Sequence, residues 1–222
     1  MNQTESKPII LSGRLLKALA SFTDKDSYAR DAYKHIWLDN SPHGYARLWA
    51  TDGHQLITVT FRGSVGPSGD SSSYALELEP IKRLKVSDKI KLTIEPYKAE
   101  FEPQSFGQPM MEIYPRSRRA QEFGKLVPPP IDQCIPARNF VQAKCEQLAC
   151  FDAGKLTKMF KAISDICKGE ESSSCQWQAG ETHMSAMAAF KTCEQFELCA
   201  VLMPINPSLS NYVDDVEYSM VA

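Results

Sequence analysis

The hydrophobic pattern of the chain alternates short strand-like runs with amphipathic helical stretches in a recurring order. An apolar run at residues 9–11 precedes a Ser-Gly break, where Ser12 can cap a helix, and apolar residues at helical spacing follow. The apolar face of this helix comprises Leu15, Leu16, Leu19 and Phe22, and its other face offers Arg14, Lys17, Ala18 and Ser21. Strands are predicted next at residues 35–38, 45–50 and 56–60. The first unit is therefore a strand, a helix and three strands.

The same order occurs twice more along the chain. After a loop rich in Gly, Ser and Pro, the second unit has a strand at 74–78, a short helix at 79–85, and strands at 89–94, 98–102 and 110–114. The third unit has a strand at 146–151, a helix at 153–168, and strands at 174–179, 183–190 and 195–203. The third helix carries its apolar side chains at Leu156, Met159, Phe160, Ile163, Ile166 and Cys167. Each unit must bury one sheet face and one helix face against a neighbouring copy, so we expect a quasi-repetitive α+β structure.

A proline-rich passage at residues 126–130 excludes helix and indicates a domain boundary. We therefore divide the chain into a domain of two units at residues 1–130, a partial domain of one unit at 131–205, and a polar, acidic tail at 206–222.

Composition narrows the function classes. The chain has 222 residues, 43% of them hydrophobic, and its 25 basic and 27 acidic residues exclude a uniformly basic nucleic-acid binder. No apolar run approaches the roughly 20 residues that span a bilayer, and a cytoplasmic protein is expected. An odd number of cysteines without a CxxC pair argues against a disulfide framework and a zinc ribbon. We interpret them as reduced thiols, mostly in the core: Cys134, Cys145, Cys150, Cys167, Cys175, Cys193 and Cys199.

Basic side chains lie on the non-core face of all three predicted helices. They are Arg14, Lys17, Lys82, Arg83, Lys85, Lys155, Lys158 and Lys161. Helix faces of this kind can meet the phosphate backbone of DNA without reading its sequence, or they can simply be solvated. The charges alone do not decide between these alternatives.

Residues 49–61, Trp-Ala-Thr-Asp-Gly-His-Gln-Leu-Ile-Thr-Val-Thr-Phe, predict a hairpin whose turn is centred on Asp52 and Gly53. Asp52 and His54 could form a catalytic or metal-binding pair, but no third ligand lies nearby. A turn-stabilising or pocket-lining role is therefore favoured. The chain has no nucleophile elbow, HExxH or P-loop, so we predict no enzyme activity, metal site or cofactor.

Two segments resemble one known family. Residues 50–56, Ala-Thr-Asp-Gly-His-Gln-Leu, are similar to the Ala-Thr-Asp-Gly-His-Arg-Leu turn of the bacterial sliding clamp, the beta subunit of DNA polymerase III. Residues 201–205, Val-Leu-Met-Pro-Ile, resemble its Val-Val-Met-Pro-Met ending. The resemblance implies a DNA-clamp fold of repeated βαβββ units, with about one and a half clamp domains: a complete one at 1–130 and a partial one at 131–205.

The resemblance also implies two binding surfaces. One is a pocket for the clamp-binding linear motif of a polymerase or another partner protein, and the matching residues are Thr51, Gly53, His54, Leu56, Val127, Val201, Met203, Pro204 and Ile205. The other is a helix layer facing double-stranded DNA, which favours the DNA-facing interpretation of the basic residues. Gln55 stands where the family has arginine, and a family member has three domains.

These implications lead to two hypotheses. The chain is a sliding-clamp-like replication accessory protein, which in one version encircles DNA as a homo-oligomer. Alternatively, it is a ring-less clamp mimic that competes for clamp-binding partners.

Overall fold

The computed structural model describes residues 9–25, 31–40, 45–61, 73–95, 98–103, 111–113, 128–135, 151–170, 174–179 and 187–204. These residues form three α-helices, two short 3-10 helices and two antiparallel sheets. The α-helices are α1 (Gly13–Ala20), α2 (Leu78–Arg83) and α3 (Ala153–Ile166). The 3-10 helices span Asp31–Lys34 and Ile131–Gln133.

The smaller sheet has the strand order β1-β6-β7-β8, with β1 (Ile9–Ser12), β6 (Lys89–Glu95), β7 (Lys98–Pro103) and β8 (Met111–Ile113). The larger sheet has the order β5-β2-β3-β4-β11-β10-β9. Its strands are β2 (Ile36–Asn40), β3 (Ala46–Thr51), β4 (Gln55–Phe61), β5 (Ser73–Leu76), β9 (Gln176–Ala179), β10 (Met187–Thr192) and β11 (Phe196–Leu202).

The first two units exchange their first strands. β1 pairs with β6 of the second unit, and β5 pairs with β2 of the first unit. Each sheet therefore contains strands from both units, and separating the units would break both ladders. The exchange therefore interlocks the first two units.

The third unit joins the first through the pairing of β4 with β11, in a register that runs from Phe61 opposite Phe196 to Gln55 opposite Leu202. Helix α1 lies beside α3 over this junction. The three α-helices and the inner faces of both sheets share one core, which includes Leu16, Leu48 and Met159. The described residues form the quasi-repetitive α+β structure that the repeated pattern predicts.

Helix α1 begins where the sequence predicts. Ser12 has extended backbone, and its Oγ accepts a hydrogen bond from the Leu15 backbone N–H at 3.1 Å. The next residue, Gly13, donates its backbone N–H to the carbonyl oxygen of Asp88 at 2.7 Å. A Cβ at this position would lie 2.1 Å from the carbonyl oxygen of Lys85, so the helix start is packed directly against the backbone after α2.

Two side chains on the helices are placed differently from the sequence prediction. Ala18 was expected on the polar face of α1 but is buried, because α3 packs against that side. The sequence predicts Phe160 in the core, but it is 47% exposed and its ring centre lies 5.0 Å from that of Trp177, which is exposed as well.

Of the described cysteines, Cys167, Cys193 and Cys199 are buried as the sequence predicts, Cys175 is half-buried and Cys134 is exposed. Within the described residues no helix is long and apolar enough to cross a membrane.

Some predictions fall outside the described residues and are not tested. They concern Cys145, Cys150, most of the predicted strand at 146–151, and the tail at 206–222.

Replacing Gly13 with alanine should destabilise the fold, because the new methyl group cannot avoid the Lys85 carbonyl without moving backbone. We expect a loss of about 1–3 kcal/mol in the free energy of unfolding, measured by urea titration. Gly154→Ala is the matched control, since Gly154 is exposed in the first turn of α3 and the nearest atom to its new Cβ is Asp152 Oδ1 at 3.1 Å. Equal effects of the two substitutions would contradict the packing described for the start of α1.

Candidate functional site

The turn between β3 and β4 is held by short-range hydrogen bonds. Gly53 has φ +88°, in the region that favours glycine. Asp52 Oδ1 accepts the backbone N–H groups of His54 and Gln55, both at 2.9 Å. Thr51 Oγ1 donates to the Gln55 carbonyl oxygen at 2.8 Å and accepts the Gly53 N–H at 3.0 Å. The turn that Asp-Gly predicts is therefore present, with its backbone polar groups satisfied by its own side chains.

The end of β11 lies against this turn. The Met203 backbone N–H donates to the His54 carbonyl oxygen at 2.8 Å, and Val201 is the register partner of Leu56. Residues 50–56 and 201–204, which lie far apart in the sequence, are therefore joined by hydrogen bonds in the fold.

A pocket of about 190 Å³ opens between the turn, the end of β11 and the connector at residues 128–135. Its lining includes six residues of the predicted pocket, Thr51, Gly53, His54, Leu56, Val201 and Met203. Pro204 follows Met203 but does not line the cavity, and Val127 and Ile205 lie outside the described residues. Met203 is 40% exposed at the pocket mouth, so its thioether is available to a ligand.

The sequence interpretation missed half of the pocket wall. The additional lining residues are Tyr33, Gln55, Pro129, Pro130, Ile131, Gln133 and Cys134. The proline passage offered a partial signal, because the sequence predicts an extended, apolar segment there. Tyr33 had no such signal, since only the folded chain brings the 3-10 helix at 31–34 against Gly53.

An ion-pair chain anchors the connector to the larger sheet. Arg47 donates to Asp132 Oδ1 at 2.6 Å and to Asp39 Oδ2 at 3.1 Å. Burial alone would lower the pKa of Arg47, but the two carboxylates outweigh it and raise the pKa. Asp39 also accepts the Trp49 indole N–H at 2.8 Å. Ile131 packs in the same cluster as the stacked Trp37 and Trp49 rings, so the far wall of the pocket is held by charge and by apolar contact.

A second concavity, of about 1,070 Å³, lies between α1 and α3, and we call it the basic groove. Its basic lining residues are Arg14, Lys17, Lys25, Lys155, Lys158, Lys161 and Lys168, and its acidic ones are Asp24, Asp52 and Asp165. Five of the eight predicted DNA-facing residues are brought together here. Lys82, Arg83 and Lys85 are exposed on and after α2, outside the groove lining, although the Lys17 ammonium group donates to the Lys82 carbonyl oxygen at 3.2 Å.

Asp52 stands between the groove and the pocket. Its Oδ2 lies 3.5 Å from Lys155 Nζ and 3.9 Å from Lys158 Nζ, and it accepts a hydrogen bond from Gln55 Nε2 at 2.9 Å. Burial tends to raise the pKa of Asp52, but the hydrogen bonds from Gln55 and His54 and the charge of Lys155 lower it overall. Burial lowers the pKa of Lys158, with Asp52 acting in the opposite direction. His54 lines both cavities, so one turn forms the wall between them.

The described residues contain no group of three or more side chains that could hold a metal ion. Asp52 accepts the backbone N–H of His54, so this carboxylate helps to hold the turn.

No family profile matches the chain, and no functionally curated protein is similar to it in sequence. The fold is nevertheless similar to solved sliding clamps. Two structures of the DNA polymerase sliding clamp from Pseudomonas aeruginosa, one of them with a ligand, match 93% of this chain and 68% and 70% of theirs, at 11% identity and TM-scores of 0.51 and 0.52. DNA polymerase III subunit beta from Borrelia burgdorferi matches 93% of this chain and 66% of its own, at 10% identity and a TM-score of 0.50. At this level of identity the similarity establishes the fold.

The lowered pKa of Asp52 predicts a pH-dependent stability. A carboxylate whose pKa is depressed by folding stabilises the native state above its ordinary pKa of 3.8, and the contribution is lost as the pH falls through the folded value. Asp52→Asn should therefore lower the free energy of unfolding at pH 7, and its difference from wild type should shrink below about pH 4, measured by urea titration. Asp165→Asn controls for removing an acidic charge from the same groove. A difference that stays constant down to pH 3 would contradict the assignment.

Proposed function

We propose that the chain is a sliding-clamp-like accessory protein of DNA replication, cytoplasmic and without enzyme activity. It binds the linear motifs of a polymerase and of other replication or repair factors in its pocket, and duplex DNA along its basic groove. The observation that supports this proposal most directly is the meeting of the Asp52–Gly53 turn with the end of β11 in one pocket. The solved proteins that share the fold are named as DNA polymerase sliding clamps.

The pocket suits the side chains of a peptide better than a whole small ligand. Its volume of about 190 Å³ is below the roughly 300–1,000 Å³ of typical small-molecule sites. Leu56, Val201 and Ile131 give it an apolar floor and wall, while Thr51 and Gln55 supply polar edges. Such a site can take an aliphatic or aromatic anchor from an extended segment, with specificity set by the few polar groups around it.

The basic groove suits a polyanion that is read by its charge. Its cations come from two adjacent helices and face a common concavity, so several can meet phosphates of one duplex at the same time. Lysine contacts to phosphate carry no sequence information, which matches a protein that moves along DNA.

Assembly into a homo-oligomer belongs to the same proposal. Among the described residues, the edge strands are β1 and β8 in the smaller sheet and β5 and β9 in the larger sheet. Trp177 on β9 and its neighbour Phe160 on α3 are both exposed. These edges are where further strands could be added.

Replacing both Met203 and Pro204 with alanine should weaken the binding of a fluorescent peptide that carries leucine and phenylalanine anchors. We expect the affinity to fall by about tenfold, equivalent to about 1.4 kcal/mol. Met203 loses its thioether at the pocket mouth, and Pro204 no longer fixes the backbone after β11. Fluorescence anisotropy measures the affinity. Ile10→Ala is the matched control, because Ile10 is an exposed apolar residue on β1, outside both cavities. Unchanged affinity in the double variant with normal melting would refute the pocket.

Reversing two charges of the groove, Lys155→Glu with Lys161→Glu, should weaken the binding of a 30-base-pair duplex and flatten its salt dependence. Each lost phosphate contact should reduce the slope of log K against log salt by about 0.9. Lys91→Glu is the control, since Lys91 lies on β6 outside the groove and pairs with Glu102 at 3.9 Å.

Nicked circular DNA then separates the two versions of the function. Retention on the circle that is lost on linearisation supports encirclement. Peptide binding without any DNA binding would instead support the ring-less competitor and overturn the groove.

A further inference from the structure

Asp52 pairs with two lysines of α3 in the basic groove. Its Oδ2 lies within 4 Å of both Lys155 and Lys158, the two cations nearest the turn. Lys158 is further confined, because its ammonium group sits 5.4 Å from the centre of the Phe22 ring. The carboxylate is thus placed where a phosphate oxygen of a groove ligand would have to sit to reach the same two ammonium groups.

We propose that Asp52 is an internal counter-ion that competes with the phosphates of duplex DNA for Lys155 and Lys158. The basic groove therefore binds duplex DNA more weakly than it would without this carboxylate. This inference rests on the proposed binding of DNA in the groove. It assigns Asp52 a second role, distinct from holding the turn of the pocket.

The two roles use different oxygens of the carboxylate. Oδ1 accepts the backbone N–H groups of His54 and Gln55, whereas Oδ2 faces the lysines and the Gln55 amide. An asparagine keeps an oxygen for the backbone but loses the charge. Gln55 Oε1 is buried with no hydrogen-bond partner in the structure, so a rotated Gln55 amide could accept the new Asn amide N–H. Asp52→Asn therefore removes the counter-ion role selectively, and Asp52→Ala removes both roles.

The test measures binding of a fluorescent 30-base-pair duplex by anisotropy at 50 and 200 mM salt, for wild type and variants that melt cooperatively. Asp52→Asn should bind more tightly than wild type at 50 mM. If one or two lysine–phosphate contacts are gained, this advantage should be about three- to twelvefold larger at 50 mM than at 200 mM. Asp165→Asn removes the same charge from the same groove, without an Asp52-type lysine pair, and should give a smaller gain.

A double-mutant cycle isolates the mechanism. In a Lys155→Ala, Lys158→Ala background, Asp52→Asn should give no gain, because the groups it releases are absent. Asp52→Ala should change the two affinities in opposite directions: the duplex should bind more tightly and the Leu/Phe peptide more weakly. A defect in folding would weaken both.

Each outcome bears on the inference. If Asp52→Asn and Asp165→Asn tighten duplex binding equally, the gain reflects net charge alone and the inference is overturned. A gain from Asp52→Asn that persists when Lys155 and Lys158 are replaced by alanine would overturn it as well. If the wild type binds DNA and Asp52→Asn leaves the affinity unchanged, the inference is refuted but the proposed groove is not. Absence of DNA binding in wild type and variants at 50 mM salt would sink the proposed groove and the inference together.

Discussion

The pairing of β4 with β11 is the interaction on which the rest of the structure depends. Its register places Leu202 opposite Gln55 and lets the Met203 N–H reach the His54 carbonyl oxygen. On one face of the sheet this junction sets α1 beside α3 and creates the basic groove. At its end it closes the pocket against the connector. A slip of one residue would send every side chain of β11 to the opposite face, so both cavities are fixed by one ladder.

The turn at residues 52–54 gains its importance from this position. In an isolated hairpin, Asp52 would only satisfy backbone N–H groups. Here the same carboxylate also meets two lysines from a helix of another unit, and His54 lines both cavities. Gln55, which differs from the arginine of the sliding clamps that the turn resembles, contributes a neutral amide to this carboxylate where an arginine would add a charge. Residues 52–55 therefore combine the hydrogen bonds of a local turn with ion pairs to a distant helix.

The order of strands and helices could be predicted from the sequence because it depends on local signals. Ser12 caps α1, Gly53 permits the turn, and apolar spacing defines α3. What the sequence could not supply was the neighbour of each element. Ala18 is buried where α3 packs beside α1, and Phe160 is exposed next to Trp177 on the edge strand β9. For the same reason the pocket residues on β4 and β11 were found through their resemblance to a family, whereas Tyr33 and the Ile131 wall were not.

The central claim is that one turn separates two binding surfaces, and hydrogen exchange read by mass spectrometry tests it most directly. With saturating Leu/Phe peptide, slowed amide exchange is expected at residues 51–56, 131–135 and 201–203, and with saturating duplex at residues 52–54, α1 and α3. The turn itself should be the one segment whose exchange responds to both ligands. Protection by the peptide along α1 and α3, or by either ligand only at segments remote from the junction of β4 and β11, would contradict the claim.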